Sequence, residues 1–295
     1  MLKPLVQQIT LMNPDYTEVT DVIEKEILHH DIMDVLIKQG ALQRLTFIGG
    51  TSLRMCHNSS RMSEDLDFNA GHDFLPSDFE GLEYEIQRYI ENKYETEVFV
   101  NKPSEIKQGD TVSWTISIVK EPNRPDLPRQ KMHIDVCAIP SFDIEKRPLL
   151  NHYNIPVPTE GILVPVQSLG ETLADKLIAL AYRSRRIKPR DLWDIVWIKQ
   201  RGITLPKHLV EKKLLARQKQ TKDFHEALAQ QLETLKTKDE VRIDFHSEMS
   251  RFLPRNIKQR TLDNPEYWAY LQNEVCAVAS ELLNNIPPPH PFNMG

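Results

Sequence analysis

Apolar residues recur at helical spacing between residues 17 and 39, at Val19, Val22, Ile23, Ile27, Ile32, Val35 and Leu36, and stop at Gly40. The pattern predicts one or two amphipathic helices that pack as a lid and carry no chemistry. Leu45-Thr46-Phe47-Ile48 has the length of a buried strand, broken by Gly49-Gly50, with Thr51-Ser52 where a short helix could start. Residues 63–68 read as a second strand, in which Asp65 and Asp67 share one face while Leu66 and Phe68 turn to the core. A helix is expected over 76–94, burying Phe79, Leu82, Ile86 and Ile90. Three strands follow, at 97–100, 111–120 and 131–139. In the middle one Val112, Trp114, Ile116 and Ile118 alternate with Ser113, Thr115 and Ser117. The turn at 121–128 holds three prolines and reads as an exposed hairpin connection.

Residues 141–167 are proline-rich and read as a connector between halves. Ser168 and Glu171 form a capping-box pattern ahead of a helix that buries Leu173, Leu177, Leu180 and Ala181. Pro189 suits the first turn of another helix, burying Leu192, Ile195 and Val196. From 205 to 285 the pattern is helical throughout, with a seam at Phe224, Leu228, Leu232 and Leu235 and a last stripe from Trp268 to Leu282. The expected fold class is α/β (α+β): a small mixed sheet flanked by helices, followed by a helical C-terminal region. The expected divisions are a core with N-terminal helices at 1–150, a helical region at 168–285, and a loose proline-rich tail at 286–295.

The 295 residues are 40% hydrophobic and 27% charged, the balance of a soluble globular protein. No apolar run approaches the ~20 residues of a membrane helix, and the N-terminus lacks a signal-peptide pattern, so a cytoplasmic protein with no membrane partner is expected. Cys56, Cys137 and Cys276 are odd in number and unrelated in spacing, and read as reduced thiols. The ten histidines show no metal-like arrangement, and His29-His30 reads as half-exposed. Net charge is −5, made of −9 over residues 1–150 and +4 over 151–295. That asymmetry hints at a polyanion partner for the second half.

Two carboxylates on one strand face repel unless a cation sits between them, and a hard divalent ion takes such oxygens. With a glycine turn and a helix start beside them, Asp65 and Asp67 suggest a site for a metal–nucleoside triphosphate. Asp135 lies among apolar residues on a third strand. It reaches the same site if the two strands are neighbours, and is otherwise an ordinary half-exposed position. Lys176 and Arg183 lie seven apart on one helix face. Arg183, Arg185, Arg186, Lys188 and Arg190 fall within eight residues, as either a phosphate-binding patch or a basic helix end. Residues 207–222 hold Lys207, Lys212, Lys213, Arg217, Lys219 and Lys222 against the single acid Glu211. Asp191 and Asp194 share a helix face, and Asp191 in a first turn also fits a helix-dipole role.

Gly49-Gly50-Thr51-Ser52-Leu53-Arg54 followed by Arg61-Met62-Ser63-Glu64-Asp65-Leu66-Asp67-Phe68 resembles the signature of the DNA polymerase β-like nucleotidyltransferase superfamily, and more narrowly of the AbiEii toxin family. Residues 169–180 and 188–195 are similar to that family's third and fourth motifs, with an ADKL-type lysine and an RDLWD-type aspartate. Four blocks thus match in order between residues 47 and 198. The resemblance implies a polymerase β-like sheet and one or two Mg²⁺ (or Mn²⁺) held by Asp65, Asp67 and Asp135. It implies phosphates cradled by Gly49, Gly50, Thr51 and Ser52, and Lys176 offsetting charge on the NTP. Asp191 would orient Lys176 or act as a base, with Asp194 the competing choice for the functional acid. The implied acceptor is RNA, the 3′ end of tRNA, whose modification blocks translation, and a cognate antitoxin is implied as partner. Arg183, Arg185, Arg186, Arg190, Lys212, Lys213 and Arg217 are the acceptor-binding candidates. A small-molecule or protein hydroxyl as acceptor, and a non-catalytic binding module of the same fold, are the alternatives. Lys176→Ala is expected to abolish activity while leaving the melting temperature close to the parent's.

Overall fold

A computed structural model describes residues 2–103, 111–120, 123–124, 126–183 and 185–283. Part of the expected 121–128 turn and all of the expected 286–295 tail lie outside the described residues. The chain divides into two compact units, Met1–Thr172 with Ser247–Asn264, and Leu173–His246 with Pro265–Gly295.

The first unit contains α1 (Leu2–Met12), α2 (Thr20–Lys38), β1 (Thr46–Ile48), α3 (Gly49–His57), β2 (Leu66–Asn69), α4 (Leu82–Tyr94), β3 (Val98–Asn101), β4 (Thr111–Ile118), β5 (Gln130–Cys137), β6 (Ile144–Pro148) and β7 (Leu163–Gln167). They build one mixed seven-stranded sheet in the order β3-β4-β5-β2-β1-β7-β6. β2 runs parallel to β5 and β1 parallel to β7, and the other pairings are antiparallel. Alternation sends Phe47, Leu66, Phe68, Trp114, Ile116, Met132, Ile134 and Val136 into one core with Leu28, Ile32 and Leu36 of α2 and Ile86 and Ile90 of α4. Each such side chain contributes about 1.5–3 kcal/mol on full burial. Phe47 and Phe68 stack across the β1–β2 pair with ring centroids 5.2 Å apart.

Three expectations are corrected here. Residues 141–167 are not a connector, because they hold β6 and β7, which extend the sheet beyond β1. Prolines argue against a strand, yet Pro148 ends β6, and Pro165 lies next to the single β1–β7 bridge, Phe47 with Val166. The expected helix at 76–94 is a 3₁₀ turn (Pro76–Phe79) and α4, separated by Gly81 at φ 84°. Nor is α2 an amphipathic lid: from Val22 to Leu36 every residue except Lys25 is buried, His29 and His30 included. Its polar side chains are matched by partners distant in sequence. Glu26 meets Arg54, Asp31 accepts from Lys93 and the Tyr94 hydroxyl, and His30 Nδ1 lies against the Thr159 hydroxyl at 2.5 Å. Gly40, at φ 72°, ends the helix as expected, its N–H donating to the Ile37 carbonyl at 3.0 Å.

Buried neutral histidines make stability depend on pH. Burial and then His29 push His30 down to about 4, and burial lowers His29 as well. The unfolded chain therefore binds protons below about pH 6.5 that the folded chain refuses. Stability is complete above that pH and falls as pH drops toward about 4, by roughly 1.4 kcal/mol per pH unit for His30, with His29 acting in the same direction. The urea midpoint should fall between pH 7 and pH 5, and His30→Gln should flatten the fall. A midpoint independent of pH over that range would refute the burial of neutral imidazoles.

The second unit is helical. It takes α5 (Leu169–Tyr182) from Leu173 onward, α6 (Pro189–Lys199), α7 (Lys207–Ala216), α8 (Thr221–Thr237) and α9 (Asp239–Met249) up to His246. After α10 (Arg255–Arg260), which belongs to the first unit, it ends with α11 (Tyr267–Leu283). Its buried residues include those of the expected stripes, Leu173, Leu177, Leu192, Ile195, Phe224, Leu228, Leu232, Leu271, Val275 and Val278, while Trp268 is only half-buried. The Gln272 side chain donates to the Leu235 carbonyl at 2.7 Å, tying α11 to the end of α8.

Candidate active site

In the first unit, strand register assembles the acids. Ile48 is opposite Asp67 across β1–β2, Asp67 is opposite Asp135 across β2–β5, and Ser113 is opposite Asp135 across β4–β5. All four therefore share the face turned away from the apolar core, and Asp67 and Asp135 are half-buried there. Asp65 lies one residue ahead of β2, and its Oδ1 accepts the His133 N–H at 2.9 Å. The Ser113 hydroxyl donates to Asp135. Burial pushes the Asp135 carboxyl up, and the charge of Asp65 adds to the rise against the Ser113 hydrogen bond.

The glycine turn is shaped by the segment that follows it. Gly49 has φ 77°, and a Cβ there would collide with the Asp67 carboxylate, so the backbone of the turn lies directly against that acid. A Cβ at Gly50 would strike the guanidinium of Arg61, itself buried. Thr51 and Ser52 were expected to offer hydroxyls to phosphate. Instead both are fully buried, with Thr51 donating to the Asp65 carbonyl and Ser52 to the Gly49 carbonyl at 2.9 Å. Their side chains brace the turn, which leaves backbone N–H groups at the start of α3 to meet an anion.

Among the described residues no group of three or more His, Cys, Asp or Glu side chains is already arranged to hold a metal ion. The donors present still fit a hard divalent cation: Asp67 and Asp135 are adjacent carboxylates in register, Asp65 is nearby, and the raised Asp135 pKa is a strain that a cation would relieve.

The second unit holds its own cluster. Lys176 on α5 reaches Asp191 at 2.9 Å and Asp194 at 2.7 Å, both on α6, and Arg183 reaches the other oxygen of Asp191 at 3.0 Å. The Asp194 side chain is 0% exposed, Asp191 6% and Lys176 13%. Burial would raise the Asp191 carboxyl, but Lys176 and Arg183 hold it down to about 2. A carboxyl so acidic is a poor base and a firm anchor. Asp191 and Asp194, the two competing choices for the functional acid, both grip the same ammonium.

The basic residues fare unevenly. Arg185 and Lys212 are exposed, Arg186 pairs with Asp244 at 3.0 Å, and Arg190 is half-buried. Lys213 is a correction: its ammonium is fully buried against Asp175 at 2.7 Å, and Arg217 meets the same acid at 2.9 Å. Both face inward to Asp175, a residue the sequence reading passed over because its partners lie 38 and 42 positions away. Glu26 and Arg54 were missed for the same reason.

A mixed sheet that sets aspartates in register beside a glycine turn defines the nucleotidyltransferase class of site. The family model described as nucleotidyl transferase AbiEii toxin, Type IV TA system, matches residues 31–273. The chain belongs to this AbiEii family of nucleotidyltransferase toxins, which implies an NTP as substrate and an antitoxin as counterpart. Among solved structures it is similar to MenT4, a nucleotidyltransferase toxin from Mycobacterium tuberculosis H37Rv. The identity is 17%, over 98% of this chain and 91% of that one, with a TM-score of 0.55. JHP933 from Helicobacter pylori matches at 15% identity over 89% of this chain and 92% of that one, with a TM-score of 0.47. A search of curated proteins returns no match. No helix among the described residues is long and apolar enough to cross a membrane.

Proposed function

We propose that this toxin transfers a nucleotide from an NTP to RNA, at the 3′ end of tRNA, and thereby blocks translation. The observation that carries the reading is the in-register pair Asp67 and Asp135 on the open sheet face, with the Gly49 backbone against Asp67. Asp67 and Asp135, with Asp65 beside them, would hold Mg²⁺ or Mn²⁺. When bound, such an ion supplies positive charge for the triphosphate and acidity for the attacking hydroxyl. N–H groups at the start of α3 receive phosphate oxygens. The acceptor oxygen bonds to the α-phosphorus, the bond to the β-phosphate oxygen breaks, pyrophosphate leaves and the hydroxyl proton passes to solvent. In the second unit Asp191 and Asp194 fix the ammonium of Lys176, which would meet negative charge on a phosphate. RNA as acceptor rests on the basic second half, through Arg185 and Lys212 with Lys219 and Lys222, all exposed.

The test is incubation with each labelled NTP, Mg²⁺ and total RNA. Label should enter tRNA-sized RNA, vanish with Asp67→Asn, and fall steeply as salt rises. Label on protein or a small molecule, or a flat salt response, would reject the RNA acceptor. Label unaffected by Asp67→Asn would reject the site.

A further inference from the structure

Glu26 is 3% exposed and its carboxylate gathers donors from three places. Arg54 Nε lies 3.2 Å from each oxygen, the Ser63 N–H is at 3.3 Å, and the Tyr153 hydroxyl donates to it as well. Arg54 hangs from α3, the helix that begins at the glycine turn, and its Nη1 donates to the Ser59 carbonyl at 2.9 Å. The chain from α3 to β2 is fastened along its length. The Ser59 N–H donates to Leu53 at 2.9 Å, and the Met62 N–H to Phe252 at 2.9 Å. His29 Nε2 sits 3.0 Å from the Glu64 carbonyl, and Lys25 holds the Glu64 carboxylate at 2.7 Å. The Thr51 hydroxyl holds the Asp65 carbonyl.

This segment is a loop whose two ends meet at the site, Gly49 at one end lying against Asp67 at the other. Its middle is cinched to α2 by Glu26. A buried ion pair is a poor device for stability, because apolar side chains of similar volume serve as well or better. What the pair does supply is direction, fixing α3 and the approach to β2 to one carboxylate.

We propose that Glu26, Arg54 and Tyr153 are positioning residues for the nucleotidyl transfer. They set the spacing between the glycine turn and Asp67, and through it the affinity and placement of the divalent ion. The proposal rests on the reading of Asp67 and Asp135 as the ion's ligands. None of the three needs to touch the substrate.

The experiment compares the parent with Glu26→Gln/Arg54→Met, which removes both charges and keeps the volume. Four quantities are read: melting temperature, Mn²⁺ affinity of the protein alone by electron paramagnetic resonance, kcat, and KM for NTP. The double variant should melt close to the parent. It should bind Mn²⁺ about tenfold more weakly and lose about a hundredfold in kcat, the scale of a misplacement near 1 Å, with a smaller change in KM. A double variant that melts, binds Mn²⁺ and turns over like the parent overturns the proposal. Should it fail to fold, Tyr153→Phe decides. That variant removes one hydroxyl from Glu26 and leaves the ring edge-on to Tyr16. It should keep the parent's melting temperature and lose about tenfold in kcat, and a parent-like kcat and Mn²⁺ affinity would again overturn the proposal. A parent that binds no Mn²⁺ fails the ion reading itself, a result distinct from equal binding by parent and variants.

Discussion

Lys176→Ala should destabilise the protein by about 3–5 kcal/mol, the cost of stripping one partner from a buried ion pair. Asp194 is fully buried and would lose an ammonium 2.7 Å away, and Asp191 would keep Arg183 alone. This reverses the expectation from sequence, where a lysine on a helix face was expected to melt close to the parent when replaced. The pH dependence carries the same signature. The Asp191 carboxyl is held at about 2 against an ordinary 3.8, so its contribution is present above pH 3.8 and lost as pH falls toward 2. In Lys176→Ala that acid-sensitive portion, about 2.5 kcal/mol in the parent, should shrink. Urea denaturation at pH 7 and pH 3 measures both effects. A parent-like midpoint in Lys176→Ala would show that the cluster contributes nothing to the fold. Lys176→Met/Asp194→Leu then separates stability from chemistry. It should recover most of the lost midpoint and remain inactive if the ammonium meets the triphosphate.

Asp135→Asn should move stability and activity in opposite directions. The folded Asp135 carboxyl is raised by burial and by Asp65, so its charged form costs free energy in the ion-free protein. That cost is absent below about pH 3.8, where the carboxyl is protonated in both states, and complete above the folded pKa. In chelator at pH 7 the variant should therefore melt above the parent, and at pH 3.5 the two should converge. Activity should drop by about a hundred- to a thousandfold, the scale of one lost electrostatic stabiliser. Mg²⁺ at a hundred times its Kd should stabilise the parent by about 2.7 kcal/mol and the variant far less. Equal Mg²⁺ stabilisation of both proteins would remove Asp135 from the ion site.

Local chemistry was legible in the sequence and distant pairing was not. Strand alternation announced the facing of Asp67 and Asp135, and the register of β2 with β5 then set them side by side. The glycine turn was visible, but the reason for it was not: Asp67 and Arg61 occupy the space its side chains would need. The reading of α2 as amphipathic failed because a helix buried on every side can carry charge when each charge is matched elsewhere. Glu26 finds its match 28 residues on, and Asp31 finds Lys93 and Tyr94 more than 60 residues on. Lys213 reads as one more basic surface residue until Asp175 is seen beside it. β6 and β7 were hidden by their prolines: Pro148 ends β6, and Pro165 lies inside β7 opposite Lys146.

The first unit is closed by chain made late. The Met62 N–H is received by the Phe252 carbonyl, and Phe252 packs with Met62 and Tyr153 in one apolar cluster. About 190 residues separate the two halves of that contact, roughly ten to forty seconds of synthesis at ordinary elongation rates. For the later part of that interval, once Asp135 has been made, the nascent chain contains the glycine turn and all three aspartates, but not the segment that pins the approach to Asp65. The segment that pins the approach to Asp65 is thus the last part of the first unit to be made, and the full geometry waits for residues 247–264.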